Sequence, residues 1–258
     1  MNRIRDKLIL ITGASAGIGE ACARRCAAEG ANLVLWARRE DRLADLADEL
    51  HRDAALEIRV AGVDVRDREA VEVEAAEMKE VSLVPDVLVN NAGLASGLAP
   101  LQEGDPEDWD RMIDTNVKGL LHVSRAFLPQ MIELGRGHVV NIGSTAGHQV
   151  YPRGNVYNAT KFAVRALTEG MNLDVAGTPI RISSVDPGFV HTEFSLVRFG
   201  GDRQQADAIY QGFQPLLAED VADAIHYVIN APEHVNVFDL LLLPTAQRNI
   251  YVVDRNEV

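Results

Sequence analysis

Tyr157 and Lys161 stand four residues apart, a spacing that puts both on one face of a helix, one turn above the other. An ammonium so placed lies close to the phenol. Tyrosine titrates near ~10, so acid–base work at neutral pH needs a shift of about 3 units, roughly 4 kcal/mol. A unit charge at about 4 Å in an effective dielectric near 20 supplies on the order of 4 kcal/mol. By this arithmetic the lysine alone is about large enough to make the tyrosine a proton donor or acceptor. An isolated Y-x-x-x-K is nonetheless ordinarily a helical pair with a solvated amine, so the reading depends on its surroundings.

Ser144 lies upstream in Asn141-Ile142-Gly143-Ser144-Thr145-Ala146-Gly147, just past a short apolar run. Near the N-terminus, Thr12-Gly13-Ala14-Ser15-Ala16-Gly17-Ile18-Gly19 joins an apolar run to a helical pattern. Glycines there let the backbone approach a pyrophosphate, and a helix N-terminus offers unpaired N–H groups and a positive dipole end. Their spacing is G-x-x-x-G-x-G, not the better-known G-x-G-x-x-G. Past the second apolar run come Ala37, Arg38 and Arg39, with Arg42 one turn on. An acid near this point selects the free ribose of NAD, whereas a 2′-phosphate needs cations. Guanidinium matches phosphate by its fork and its permanent charge, so the cluster points to NADP. The alternative is a solvated helix start, as Glu40 and Asp41 suggest.

Asp64-Val65 suits an adenine amino group, or is an ordinary turn carboxylate. Asn90-Asn91-Ala92-Gly93 brings small residues and amides where a ribose and nicotinamide could lie. Asn116 and Gly119 are poor residues for the middle of a helix, so something other than helix propensity acts there. Asp186-Pro187-Gly188-Phe189-Val190 could border the nicotinamide amide.

The elements that must carry these residues alternate. Strands are expected at Lys7–Thr12, Asn32–Ala37, Leu56–Val65, Pro85–Asn90, Gly137–Ile142, Ile180–Val185 and Val237–Leu243. Helices are expected at Glu20–Glu29, Arg39–Leu50, Arg66–Val81, Pro106–Leu134, Val156–Ala176 and Ala218–Asn230. This is an α/β pattern: a single doubly wound domain over residues 1–258, with about seven parallel strands flanked by helices. Ligands in such sheets sit outside the carboxyl ends of the strands, where the residues above cluster. Only residues 191–215 break the alternation, and loops that long are usually lids.

The formal charge of −13 argues against nucleic-acid binding, which needs a basic surface. Cys22 and Cys26 are the only cysteines; helix packing explains them better than metal or redox chemistry, and they suggest a reducing compartment. No apolar run reaches a signal-peptide core or a membrane span, so a soluble cytoplasmic protein is expected. None of the histidines forms a metal-like pair; His191-Thr192-Glu193 comes nearest and reads as lid. No metal is expected.

Taken together, Thr12 to Gly19, Asn90 to Gly93, Asn116, Ser144, Tyr157, Lys161 and Pro187-Gly188 resemble the short-chain dehydrogenase/reductase family, in order and over about residues 7 to 243. Met112 to Asn116, Gly154 to Tyr157, Thr192 to Arg198, Leu243-Pro244 and Gln247 are similar to its NADP-dependent 3-hydroxy acid dehydrogenases, which include serine 3-dehydrogenase and L-allo-threonine dehydrogenase. The resemblance implies that Tyr157 is the general acid/base. Lys161 would lower its pKa and hold the nicotinamide ribose, Ser144 would orient the substrate oxygen, and Asn116 would hold a water in a proton relay. It also implies NADP contacts from Thr12, Gly13, Ser15, Gly17, Ile18, Gly19, Arg38, Arg39, Asp64, Val65, Asn91, Ala92, Gly93, Tyr157, Lys161, Pro187, Gly188, Val190 and Thr192.

The expected activity is hydride transfer between NADP(H) and a small 3-hydroxy acid or related secondary alcohol. The alternative is a ketone or aldehyde reductase whose substrate has no carboxylate. A non-catalytic NADP-binding regulator is a third reading, disfavoured by the complete acid–base set. Ser144, Arg153, Asn155 and Arg198 are the substrate candidates, with Arg198 on the lid pairing with a carboxylate. Arg153 departs from the small residue the subgroup tends to carry. Family resemblance further implies a homo-oligomer, tetramer or dimer, paired through the long helices.

Overall fold

The computed structural model describes residues 2–53 and 56–255. Its strands are β1 (Leu8–Thr12), β2 (Asn32–Trp36), β3 (Ile58–Ala61), β4 (Val87–Asn90), β5 (His138–Ile142), β6 (Arg181–Pro187) and β7 (Asp239–Leu242). They form one seven-stranded sheet in the order β3-β2-β1-β4-β5-β6-β7, and every pairing is parallel. The helices are α1 (Gly17–Ala28), α2 (Glu40–Asp53), α3 (Arg68–Glu80), α4 (Pro106–Ile113), α5 (Leu120–Leu134), α6 (Asn155–Asp174), α7 (Glu193–Arg198), α8 (Arg203–Ala208) and α9 (Ala218–Ile229). Among the described residues no helix is long and apolar enough to cross a membrane.

Strand side chains alternate between the two faces, and each face has its own core. Ile9, Ile11, Leu33, Leu35, Val89 and Val140 pack with α1, α2 and α9. Leu10, Val34, Trp36, Leu88, Val139 and Ile182 pack with α3 and α5. Burial on both faces is why the central strands read as continuous apolar runs. The chain runs outward from β1 to β3 and returns to β4 on the other side of β1. The strand order therefore reverses between β1 and β4, and a crevice opens at their carboxyl ends.

Several boundaries differ from expectation for physical reasons. The third strand is Ile58–Ala61, shorter than Leu56–Val65, because pairing with β2 ends at Trp36–Ala61. The first helix starts at Gly17, since the glycine turn is itself the first helical turn. The expected helix Pro106–Leu134 carries a π-turn at Asp114–Gly119 between α4 and α5. There Gly119 runs against Val65, and a Cβ at Gly119 would fall 2.6 Å from Val65 Cγ2. Close approach, not helix propensity, decides that residue. The 191–215 stretch holds two short helices, α7 and α8.

One core residue makes stability depend on pH. His138 is 1% exposed; its Nε2 meets Ser183 Oγ at 2.8 Å, and burial pushes it down to about 3. An unfolded histidine titrates near ~6.5. Between those values the unfolded chain binds the extra proton, so stability falls as pH falls through that window, by about 1.4 kcal/mol per unit for this one group. Urea midpoints measured from pH 7 to pH 5 should drop less steeply in His138→Gln than in the parent chain.

Candidate active site

The crevice is lined by the β1–α1 turn, the ends of β2 and β4, the loops after β5 and β6, and the start of the lid. Helices α3 and α4 have aspartate N-caps, Asp67 and Asp105. Helix α1 begins after Ala16 with no side-chain cap, so its first N–H groups face the cleft free for an anion. The turn is held from below. Thr12 Oγ1 accepts from the backbone N–H of Asn91 at 3.1 Å and of Ala92 at 3.0 Å, and Asn91 Nδ2 donates to Thr12 O at 2.9 Å. Gly19 packs so tightly here that a Cβ would sit 2.5 Å from both Gly13 O and Asn91 Nδ2. Thr12 thus supports the turn and does not line the cleft, whereas Gly13, Ser15, Gly17, Ile18, Asn91, Ala92 and Gly93 do.

At the far end of the cleft Ala37 is buried, and Arg38 and Arg39 are exposed along its wall. Arg39 Nε donates to Ser15 Oγ at 3.2 Å, joining the end of β2 to the glycine turn. Asp64 and Val65 line the same end. The Asp64 carboxylate is gripped by Arg66 through Nη2 at 2.6 Å and Nε at 3.0 Å. Arg66, also on the cleft wall, was not foreseen; a guanidinium two residues from a strand-end acid was the available signal.

At the inner end of the cleft, Ser144 stands beside Tyr157 closely enough to act on its phenol, and Ser144 Oγ accepts from Ala146 N at 3.1 Å. Lys161 Nζ lies 5.9 Å from the Tyr157 ring centre and donates to Ile142 O at 2.8 Å. Burial pushes Tyr157 up to about 12 and Lys161 down to about 8. Desolvation therefore dominates the phenol, a cost left out of the arithmetic that set the ammonium's field alone against the phenol's ordinary pKa. Arg198, whose guanidinium sits 4.9 Å from the Tyr157 ring centre, and the neighbouring Ser144 hydroxyl pull the phenol back down.

Asn116 lies in the π-turn, the helical irregularity most often found at functional sites. Its Nδ2 donates to Leu94 O at 2.8 Å and Thr160 Oγ1 at 3.0 Å, and its Oδ1 accepts from Leu94 N at 2.8 Å. Both side-chain donors are used, which leaves only the second lone pair of Oδ1 to accept a further hydrogen bond. Asn116 also stands near Gly93 and the lysine: a Cβ at Gly93 would be 3.3 Å from Asn116 Oδ1 and 3.8 Å from Lys161 Nζ.

The structure treats the substrate candidates differently. Arg198 Nη2 donates to Tyr151 Oη at 2.5 Å, and its guanidinium is ringed by Tyr157, Phe194 and Tyr151 at 4.9, 5.3 and 5.7 Å. Its buried Nε has no hydrogen-bond partner among the described residues. Asn155 is engaged elsewhere: Nδ2 donates to Ala99 O at 3.2 Å and Oδ1 caps Val156 N at 2.7 Å, fastening a loop to α6. Arg153 is exposed and outside the cleft, in the left-handed region at φ 67°. A side chain there costs about 1–2 kcal/mol. Arg153→Gly should accordingly raise stability by about 1 kcal/mol, read as a higher urea midpoint, with substrate KM unmoved.

Phe194 and Tyr151 were not foreseen as site residues, and Asp186 only as the first residue of a turn bordering the cofactor. Phe194 stands edge-on to Tyr157 at 5.6 Å, from a lid whose fold toward the tyrosine no local pattern encodes. Asp186 is 2% exposed and raised by burial; it accepts from His148 Nε2 at 2.5 Å and from Ser184 Oγ, and it favours the charged form of Lys161. His148, Asp186 and Asp239 bring one ligand atom each within 4.8 Å of one another, but both Asp186 oxygens already carry hydrogen bonds. Pro187, Gly188, Val190 and Thr192 continue the cleft wall from β6 into the lid.

Comparison with known proteins agrees with this geometry. The short chain dehydrogenase family model matches residues 7–198. Sulfoacetaldehyde reductase 2 of Chromohalobacter salexigens is 46% identical over 251 residues, 96% of this chain and 99% of that protein. The NADP-dependent 3-hydroxy acid dehydrogenase YdfG of Escherichia coli is 44% identical over 241 residues, 93% of this chain and 96% of its own length. The closed form of serine dehydrogenase complexed with NADP+ superimposes with a TM-score of 0.89 at 44% identity, covering 93% of this chain and 96% of that one. The chain belongs to the short chain dehydrogenase family.

Proposed function

We propose that the chain is an NADP(H)-dependent oxidoreductase acting on CH–OH groups, and that its substrate is a small hydroxy acid whose reacting carbon lies one carbon from an acid group. Serine, allo-threonine and 3-hydroxypropionate have that form. So does isethionate, the alcohol partner of sulfoacetaldehyde, with sulfonate in place of carboxylate. One observation carries the substrate class: the Arg198 guanidinium stacked 4.9 Å from the Tyr157 ring centre with a buried Nε left over. A proton donor and an anion receptor are thus set about one short substrate apart.

The cleft fits the dinucleotide on its own terms. The uncapped start of α1 suits the pyrophosphate, and Ser15, Arg38 and Arg39 suit a 2′-phosphate. When bound, the cofactor supplies or accepts the hydride. The chain's own residues do the rest. In reduction the Tyr157 hydroxyl gives its proton to the carbonyl oxygen; in oxidation the phenolate takes the alcohol proton. Ser144 holds that oxygen beside the phenol, and Lys161, anchored on Ile142 O, holds positive charge behind it. Leu94, Met112 and Ala146 pack with Tyr157 in an apolar cluster that Phe194 and Ile250 help cover, excluding water from the reacting atoms.

The 46% identity to sulfoacetaldehyde reductase 2 supports a sulfonate as that acid group; the second reading is a reductase of neutral ketones or aldehydes, which leaves the buried Arg198 Nε without a role. Assaying serine, the threonine isomers, 3-hydroxypropionate, isethionate and neutral ketones, each with NADP and NAD, separates these readings. Turnover confined to neutral ketones would defeat the acid class. Exposed Leu121, Phe162 and Leu173 on α5 and α6, and Tyr227 and Leu241 on α9 and β7, support a homotetramer, or a dimer through one of these faces, which light scattering tests. The two cysteines, buried and unbonded, suit work in the cytoplasm.

A further inference from the structure

The ribose end of the cleft holds a carboxylate as well as cations. Glu193, the first residue of α7, accepts from Arg39 Nη1 at 3.0 Å through Oε2 and from Arg42 Nη1 at 3.0 Å through Oε1. Arg39 at the same time reaches Ser15 on the glycine turn. The two arginines hold Glu193 below the usual carboxylate range, so it is ionised at neutral pH. Arg39, Arg42 and Glu193 are 44%, 46% and 44% exposed, and pairs this open to water are weak and readily exchanged. A phosphate monoester brings nearly two charges and three acceptor oxygens to a guanidinium, where Glu193 brings one charge and two.

We propose that Glu193 is a selectivity residue for the cofactor's ribose end: its carboxylate occupies Arg39 and Arg42, which a 2′-phosphate takes from it and a 2′-hydroxyl does not. This rests on the NADP reading above. The exchange reaches the substrate side because Glu193 and Arg198 are the two ends of one six-residue helix. Thr192, the N-cap of that helix, packs on the glycine turn, where a Cβ at Gly17 would lie 3.3 Å from Thr192 Cβ. Tyr210 pins the helix from its other side through Ser195 at 2.7 Å and Val190 O at 2.8 Å. Freeing Glu193 releases one end of α7 while Thr192 and Tyr210 remain as pivots. The choice of dinucleotide is thereby transmitted over about 9 Å of helix to the guanidinium above Tyr157.

Calorimetric titration of the purified protein with NADPH and with NADH tests this without turnover. Glu193→Gln keeps the shape and removes the charge. It should tighten NADPH by about three- to tenfold and leave NADH within about twofold of the parent chain. An unchanged or weaker NADPH affinity, or an equal gain for NADH, overturns the proposal. Failure of the NADP reading looks different: the parent chain would bind both dinucleotides alike, and Arg39→Ala would weaken neither. Hydrogen exchange across residues 193–198 reads the lid. NADPH should change protection there more than NADH in the parent chain, and Glu193→Gln should erase the difference. Identical exchange with the two dinucleotides in the parent chain overturns the coupling to the lid.

Discussion

Tyr157→Phe lowers turnover by about 10²–10⁴-fold, the usual worth of a positioned general acid, and leaves NADPH affinity nearly unchanged. Phenylalanine keeps the ring that packs on Phe194 and underlies Arg198, so the loss isolates the hydroxyl. Without it, the proton for the developing alkoxide must come from water, which the surrounding apolar side chains exclude. The direction of the pH dependence follows from burial, which raises the phenol. Reduction needs the neutral phenol and is favoured through neutral pH. Oxidation needs the phenolate and gains as pH rises. Stopped-flow absorbance of NADPH in both directions, with calorimetry for affinity, reads all three expectations.

Arg198→Ala cuts kcat/KM for acid-bearing substrates by about thirtyfold or more, because truncating one side of a desolvated charge pair costs about 2 kcal/mol at the low end. Arg198→Lys restores part of this, since an ammonium keeps the charge and loses the fork. Neutral aldehydes of the same length lose far less. Arg198 also draws the Tyr157 phenol downward, so the alanine variant shifts the oxidative limb of the pH profile to higher pH for every substrate. A shift shared by all substrates reports on Tyr157; a KM rise confined to acids reports on recognition. A loss equal for acids and neutral aldehydes, with no pH shift, would mean the arginine only holds the lid.

Much of this is legible in the sequence itself, and the reason is local. Buried parallel strands leave apolar runs such as Ile9–Ile11 and Val87–Val89, and the glycine turn sits where strand becomes helix. Asn116 and Gly119 announced themselves as misfits in a helix; the π-turn and the approach of Gly119 to Val65 explain them only in three dimensions. What stayed hidden depends on contacts between distant segments. Sequence placed Arg39 at the ribose end, but not Glu193 across from it. Spacing paired Tyr157 with Lys161 without revealing how deeply both are buried, so the desolvation that raises one and lowers the other was missed. Arg153 and Asn155 stand beside the tyrosine in sequence, yet the first turns out to solvent and the second fastens a loop. Adjacency in the chain was a poor guide there; Arg198, far along it, is the residue that reaches the ring.

The central claim is that Tyr157 donates a proton to a carbonyl whose acid group is held by Arg198. The ratio of kcat/KM for sulfoacetaldehyde or malonate semialdehyde to that for propanal, with NADPH, tests it most directly. A desolvated guanidinium–acid contact of about 3 kcal/mol predicts a ratio of about 100 or more. A ratio near one would contradict the account.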